Sequence, residues 1–203
     1  MAASNPDRIR RLQAAVREAY SAAASKPQGE HPFPVGRAFA ESLGYPKDQI
    51  DALPQVSVEA FTGVSNVSVF ADIPIGSRVL DLGCGAGLDS LIAARRTGDG
   101  GMVLGVDFSQ AMLARAHQAA SEARIGNVGF CPAEAEKLPI RSASIDVAIV
   151  NGIFNLNPLR SEIFARLAQC SGRAAPNTVA SGEITGRGER LLPAPRTLRC
   201  GGE

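Results

Sequence analysis

Three glycines at alternate positions, Gly83, Gly85 and Gly87, are the part of this 203-residue sequence best suited to ligand chemistry. Glycine adopts positive φ without strain and lets a ligand approach the backbone closely. A turn of this kind at the end of a buried strand can present its N–H groups to a nucleotide-like ligand. Asp107 follows Gly87 by 20 residues, where a carboxylate would accept hydrogen bonds from ribose hydroxyls. The spacing therefore predicts a nucleoside site.

The glycine spacing also narrows the choice of nucleotide. The dinucleotide fingerprint G-x-G-x-x-G needs a glycine where this chain has Leu88. An ATP-type P-loop needs the sequence G-K-[ST], and this chain has no lysine between Lys47 and Lys137. A nucleoside without a pyrophosphate is the remaining candidate.

The elements of a parallel α/β sheet are predicted around this turn. Val79 to Leu82 is a short apolar run bounded by glycines, which is typical of a strand buried on both faces of a parallel sheet. The stretch 88–96 has the apolar spacing of a helix, and its N-terminus would point at the turn. Similar patterns recur along the chain and predict an α/β fold. The further predicted strands are 102–106, 127–131 and 144–151, and the further predicted helices are 109–123 and 158–168.

Residues 1–70 are predicted to form a helical extension, or lid, in front of this core. Pro6 and Asp7 suit the first turn of a helix, and apolar residues at helical spacing follow them. His31 lies in a proline-rich loop, where a surface position is the alternative to a contact with substrate. The predicted segments are a helix over 5–24, the loop over 26–34, and shorter helical segments over 35–43 and 50–61, the last of which Pro54 must begin or break.

Composition excludes several classes of function. The net charge is +1 and no run of lysine or arginine stands out, so neither nucleic acid nor a membrane surface is expected as a partner. The N-terminal residues do not read as a signal peptide, and no apolar stretch reads as a membrane span. The cysteines match no zinc or disulfide pattern, which predicts a reducing, cytoplasmic location and no metal site. They are Cys84, Cys131, Cys170 and Cys200.

Two motifs in register resemble those of a known family. Val79-Leu-Asp-Leu-Gly-Cys-Gly-Ala-Gly87 and Gly105-Val-Asp-Phe-Ser109 are similar to the first two motifs of class I S-adenosylmethionine-dependent methyltransferases, and 132–139 resembles their A-E-x-L-P element. The resemblance implies a Rossmann-like sheet with helices on both faces, S-adenosylmethionine as methyl donor, and a small-molecule acceptor. The implied donor contacts are Asp81, Gly83, Cys84, Gly85 and Gly87 for the amino-acid end, Asp107 for the ribose, Glu134, Ala135 and Phe108 for the adenine, and Asn151. A solvated Glu134 and a core Phe108 are the alternatives.

The segment Asn151-Gly-Ile-Phe-Asn-Leu-Asn-Pro158 resembles the arsenite-methyltransferase branch of that family. In that branch a cysteine follows the asparagine, because arsenic binds thiolates, whereas this chain has Gly152. Arsenite is therefore disfavoured as the acceptor. Asn151, Asn155 and His31 are the candidates to face the acceptor, with turn and cap chemistry as the alternative for both asparagines.

The chain departs from the family pattern near residue 169. The remaining sequence is rich in glycine, arginine and proline and has no aromatic residue after Phe164. This composition predicts a disordered tail over 171–203 behind a methyltransferase core over 71–170, with a short strand only at 178–184. A frameshift or truncation would explain the departure. The resulting sheet would lack C-terminal strands and could self-associate through an uncovered edge.

Two other functions stay open at this point. A module that binds the donor without catalysis, or with a regulatory role, would follow from the missing C-terminal strands. A nicotinamide-dependent oxidoreductase is the weaker alternative, because Leu88 breaks the dinucleotide fingerprint.

Overall fold

Five parallel strands form one sheet in the order β3-β2-β1-β4-β5 in the computed structural model of the chain. The structure describes residues 6–153, 157, 159–171 and 177–180. The strands are β1 (Arg78–Leu82), β2 (Met102–Asp107), β3 (Val128–Pro132), β4 (Val147–Val150) and β5 (Asn177–Ala180). The chain winds outward from β1 to β3 and then returns to the other side of β1, so β1 lies at the centre of the sheet.

Helices precede, connect and follow these strands. Four short ones and one long one come before β1, and the later helices run between strands in the usual α/β alternation. They are α1 (Pro6–Ser25), α2 (Arg37–Ser42), α3 (Lys47–Asp51), α4 (Gln55–Val58), α5 (Val67–Phe70), α6 (Leu88–Thr97), α7 (Gln110–Ala123) and α8 (Arg160–Ser171). Within the described ranges, none of these helices has the length and apolar character needed to cross a bilayer.

Helices cover both faces of the sheet. The central strands carry apolar side chains on both faces, and these side chains are buried against the helices. Leu80 and Leu82 of β1 point to the side where Ile163 and Leu167 of α8 pack. Val79, on the opposite face, belongs to a cluster with residues of α5 and α6. All of these side chains are at most 1% exposed. The predicted fold, a Rossmann-like sheet with helices on both faces, is confirmed.

The element boundaries differ from the sequence-based ones where local chemistry intervenes. The helical segment expected over 50–61, with Pro54 beginning or breaking it, is divided there into α3 and α4, because proline has no N–H to continue a helix. The strand expected over 144–151 begins at Val147, because the N–H groups of Ser144 and Ile145 donate to the carbonyl of Cys170 at the end of α8.

The C-terminal part of the sequence supplies one more strand. β5 pairs in parallel with β4, from Val147 opposite Asn177 to Val150 opposite Ala180. It overlaps the short strand predicted at 178–184, inside the segment expected to be a disordered tail, because its backbone groups pair with those of β4. Helix α8 also reaches Ser171, with the side chain of Cys170 fully buried. The rest of the predicted tail, 172–176 and 181–203, lies outside the described residues.

Candidate active-site cleft

A cleft opens at the carboxyl ends of β1, β2, β3 and β4, which is where parallel α/β sheets bind ligands. This is the point at which the strand order reverses: β2 lies on one side of β1 and β4 on the other. The segments that follow these strands form the walls, and α1 together with residues 60–63 covers one side. The space within is about 1090 Å³, part of it open to solvent. Its place at the switch point of the sheet is the one at which such sheets bind nucleotide-like ligands.

The glycine turn after β1 forms one wall of the cleft. Gly83, Gly85 and Gly87 have φ values of 77°, 52° and 85°, in the left-handed region that favours glycine. A Cβ at Gly83 would also lie 2.5 Å from Cδ1 of Ile153, so a larger residue here would have to displace that side chain. A Cβ at Gly85 would meet no atom within 4 Å, so this residue faces open space. The N–H groups of Gly83 and Cys84 donate to the carbonyl of Val106, and that of Gly87 donates to the carbonyl of Cys84. The turn therefore offers a ligand close approach to its backbone, whereas these N–H groups are used within the protein.

Asp107 joins the end of β2 to the glycine turn. Its Oδ2 accepts a hydrogen bond of 2.9 Å from the N–H of Gly85, and its Oδ1 accepts one of 2.8 Å from the N–H of Ser109. The side chain is 8% exposed, and this burial raises the pKa of the carboxyl. Each carboxylate oxygen has a second lone pair. Asp107 can therefore hold the turn and still accept hydrogen bonds from two ribose hydroxyls.

Asn151 follows β4 and lines the cleft. Both the oxygen and the nitrogen of its side-chain amide are hydrogen-bonded within the protein. Its Oδ1 accepts hydrogen bonds from the N–H groups of Val64 and Ser65, at 2.8 and 3.2 Å. Its Nδ2 donates to the carbonyl of Ser65 at 2.7 Å and to Oδ2 of Asp89 at 2.8 Å. The amide thereby ties the loop before α5 to the sheet. These partners are 62 to 87 positions away in the chain, so the contacts differ from the local turn chemistry that was the alternative. A contact between Asn151 and the donor stays a prediction.

Asp89, in the first turn of α6, is the centre of a buried polar cluster. Tyr45 donates its hydroxyl to Oδ1 of Asp89 at 2.6 Å, and both the N–H and the hydroxyl of Ser68 donate to the same oxygen. Burial raises the pKa of Asp89, and the hydrogen bonds from Asn151, Ser68 and Tyr45 oppose that rise. The cluster joins the segment before β1 to the core.

Two of the predicted donor contacts lie behind the cleft wall. Asp81 is 1% exposed and accepts a hydrogen bond of 2.5 Å from the hydroxyl of Ser90. Burial, and then the charge of Asp89, raise the pKa of Asp81 well above its usual range. Gly87 packs beneath the turn, where a Cβ would lie 3.1 Å from that of Ala116. Neither residue is part of the cleft lining.

The predicted adenine side of the cleft contains an arginine that the sequence did not indicate. Phe108, Glu134 and Ala135 line the cleft as expected. The guanidinium of Arg17, from α1, forms an ion pair with Glu134 and lies 5.3 Å from the centroid of the Phe108 ring. Tyr20, one turn further along α1, meets Phe108 edge-on at 6.2 Å. Helix α1 therefore closes over this side of the cleft.

The remaining candidates to face an acceptor are His31 and Asn155. His31 lies outside the cleft lining, with its Nε2 2.9 Å from the carbonyl oxygen of Lys26 and its ring stacked on Phe33. Asn155 lies outside the described residues. Across the described part of the chain, no three His, Cys, Asp or Glu side chains are grouped as metal ligands. Burial raises the pKa of the Cys84 thiol well above its usual range.

Sequence reasoning missed Arg17, Tyr20, Tyr45 and Asp89. Tyr20 follows Val16 by four residues, on the apolar face of the predicted first helix, so the helical pattern could have indicated it. Asp89 lies in the first turn of α6, where an acidic residue is common because it interacts favourably with the helix dipole, so its position alone does not indicate a buried cluster. Arg17 and Tyr45 gain their roles only through partners that are 44 to 117 residues away, which no local pattern shows.

Comparison with known proteins identifies the relatives of this chain. Residues 75–174 match a family model described as a methyltransferase domain. An arsenite methyltransferase from Halobacterium salinarum is 34% identical over 143 residues, which are 69% of this chain and 36% of that protein. The aklanonic acid methyltransferase DauC from a Streptomyces species is 32% identical over 96 residues, which are 47% of this chain and 44% of that protein.

A solved structure is also similar to this chain. CrArsM, an arsenic(III) S-adenosylmethionine methyltransferase from Chlamydomonas reinhardtii, matches with a TM-score of 0.52 and 28% sequence identity, over 71% of this chain and 48% of that one. The chain spans less than half the length of each of these three relatives.

Proposed function

We propose that this chain, in which residues 75–174 match a methyltransferase domain, is a class I S-adenosylmethionine-dependent methyltransferase. It would bind S-adenosylmethionine in the cleft and transfer its methyl group to a small organic acceptor. The hydrogen bond from the Gly85 N–H to Asp107 is the observation that carries the proposal. It brings the glycine turn and the ribose-binding carboxylate together at the switch point of the sheet, as a nucleoside without a pyrophosphate requires.

The described residues suit the three parts of the donor. The backbone at Gly83 and Gly85 allows close approach of the donor's amino-acid end. The carboxylate of Asp107 accepts hydrogen bonds from the donor's ribose hydroxyls. Glu134 accepts from the exocyclic amine of its adenine, next to the Phe108 ring. When bound, the donor supplies a methyl group that its sulfonium makes electrophilic. The protein then needs mainly to hold an acceptor in line with that group and to exclude water.

The cleft favours an organic acceptor with an apolar body. Val16 and Tyr20 from α1, Phe61 from the loop after α4, and Ile153 after β4 line it, with the glycine turn between them. Such side chains bury apolar surface and exclude water from the transfer. One relative reported above, aklanonic acid methyltransferase, is named for an organic acid.

Arsenite fits the described residues poorly. The position that holds a cysteine in the arsenite branch is Gly152 here, and its backbone has φ of 93°. Cys84 and Cys170 are buried and Cys131 is partly buried, and burial raises the pKa of the Cys84 thiol well above its usual range. Arsenic requires thiolates, so we infer an oxygen, nitrogen or carbon acceptor.

Replacement of Asp107 tests the donor site. We expect Asp107→Ala to weaken binding of S-adenosylhomocysteine about tenfold or more in calorimetry, because ribose hydroxyls lose a charged acceptor worth about 1.5–3 kcal/mol. Asp72→Ala is the matched control, because Asp72 is exposed. It should leave the affinity unchanged, and circular dichroism should show both variants folded. Absence of binding by the wild-type chain would contradict the proposed function, as would tighter binding of a nicotinamide cofactor.

Catalysis needs a separate experiment. A donor with an isotopically labelled methyl group would be incubated with the chain and a panel of phenols, organic acids, amines and arsenite. We expect label in an organic acceptor and none in arsenite. Donor binding without transfer to any acceptor would favour the non-catalytic alternative.

A further inference from the structure

We propose that Arg17 occupies the adenine side of the donor site and has to leave it when the donor binds, so that α1 acts as a displaceable lid. This inference rests on the proposed function. The inference adds to that function a residue, Arg17, that lowers donor affinity and a helix, α1, that moves.

Arg17 contacts the two side chains that the family resemblance assigns to the adenine. Its guanidinium forms an ion pair with Glu134, and its Cζ lies 5.3 Å from the centroid of Phe108. Both partners line the cleft, as does Arg17 itself. The Arg17 and Glu134 side chains are 46% and 41% exposed, so the ion pair lies at the mouth of the cleft and not in the core.

A guanidinium and an adenine make similar demands on these partners. Each is planar, each stacks on an aromatic ring, and each donates N–H hydrogen bonds to a carboxylate. A bound adenine that stacks on Phe108 and donates to Glu134 would use the ring and the carboxylate that Arg17 engages. The two sets of contacts therefore compete.

Helix α1 is attached in a way that permits such a release. At its C-terminal end, Ala23 and Ala24 are 0% and 2% exposed and pack in one cluster with Met112 of α7. Arg115 of α7 also donates a hydrogen bond to the carbonyl of Ala24. Arg17 lies about two turns before this anchored end, on the side of the helix that reaches over the cleft. Tyr20, between Arg17 and this end, has its own ring contacts with Phe33 and Phe108. Loss of the Arg17 contacts would therefore free the part of α1 before Tyr20 and leave the anchored end in place.

The contacts of Arg17 are weak enough for a ligand to displace. A half-exposed ion pair and an exposed cation–π contact each contribute little, and together they would lower donor affinity by roughly 3- to 30-fold. The effect is large enough to measure.

Arg17→Met is the test variant, because methionine keeps an unbranched apolar side chain and removes the guanidinium. We expect it to bind S-adenosylhomocysteine roughly 3- to 30-fold more tightly than the wild type in calorimetry. Arg11→Met is the matched control, because Arg11 is an exposed arginine of the same helix. Its affinity should equal that of the wild type. In a Glu134→Gln background, the gain from Arg17→Met should shrink, because the ion pair is already lost.

Hydrogen exchange provides a readout of the lid itself. In the wild type, S-adenosylhomocysteine should increase amide exchange in the α1 peptide that covers the cleft. In Arg17→Met, exchange of that peptide should be fast without ligand and change little on binding. Weaker or unchanged binding by Arg17→Met would overturn the inference, and so would slower α1 exchange in the liganded wild type. Failure of the wild type to bind would instead contradict the proposed function.

Discussion

Polar side chains at the cleft make more contacts within the protein than a list of ligand-binding candidates suggests. Asp107 holds the glycine turn, and Asn151 holds the loop before α5. Their positions after β2 and β4 could be predicted, because carboxyl ends of parallel strands meet at one edge. Their internal partners could not, because Gly85 and Val64 come close only through strand register and loop packing. These residues therefore shape the cleft as well as line it.

Removal of the Asn151 amide should destabilise the fold. We expect Asn151→Ala to lower the free energy of unfolding by about 1–3 kcal/mol, because it leaves buried donors and acceptors unpaired around Asp89 and Ser65. Urea denaturation would measure the change. Asn66→Ala is the control, since the Asn66 side chain makes one hydrogen bond of 3.0 Å at the surface, to the carbonyl of Gly44. An Asn151→Ala variant as stable as Asn66→Ala would show that the amide network contributes little.

The buried Asp81 should make stability depend on pH. Burial raises its pKa in the folded chain above that in the unfolded chain. Its contribution to stability is therefore full below the unfolded pKa and is lost as pH rises through the folded one. We expect Asp81→Asn, which can still accept from Ser90, to gain stability over the wild type as pH increases from 5 to about 8.

Urea denaturation at both pH values would test this behaviour. Asp72→Asn, at an exposed carboxylate, should show no pH-dependent difference from the wild type. A constant difference between Asp81→Asn and the wild type would mean that Asp81 is ionised alike in both states.

At the scale of elements, local patterns predicted the types and order of the main helices and strands well. Alternating apolar runs and amphipathic stretches identified β1 to β4, α6 and α7. Departures occur where a contact from elsewhere ends an element. Ser144 and Ile145 are removed from β4 by hydrogen bonds to the end of α8, and β5 depends on pairing with β4. Neither effect leaves a local signal.

The close packing of β2 against β3 gives a test at this scale. A Cβ on Gly105 would lie 2.6 Å from the ring of Phe130 and 3.0 Å from Cβ of Cys84. We expect Gly105→Ala to lower the free energy of unfolding by about 1–3 kcal/mol, because the ring and the turn have to shift. Gly129→Ala is the matched control in the neighbouring strand, since a Cβ there would meet nothing within 4 Å. It should be neutral or slightly stabilising in urea denaturation. Equal stabilities would contradict the packing argument.

At the scale of the whole molecule, the predicted helical extension is joined to the core and does not stand apart from it. Asn151 binds the backbone of Ser65, Arg96 of α6 donates to the carbonyl of Ser68, and Arg115 of α7 donates to that of Val56. The sequence predicted the extension from its helices but could not show these contacts, because each joins residues that are far apart in the chain. Self-association through an uncovered sheet edge stays a prediction.

The positions of the tyrosines have an optical consequence. The sequence contains two, Tyr20 and Tyr45, and no tryptophan, so ultraviolet emission comes from these two phenols. Tyr45 is 3% exposed and donates a hydrogen bond to Asp89, within the buried polar cluster. Tyr20 lies in the cleft wall, 4.8 Å from the ring of Phe33. One chromophore therefore reports on the core and the other on the cleft, and the natural chain can signal ligand entry without an introduced label.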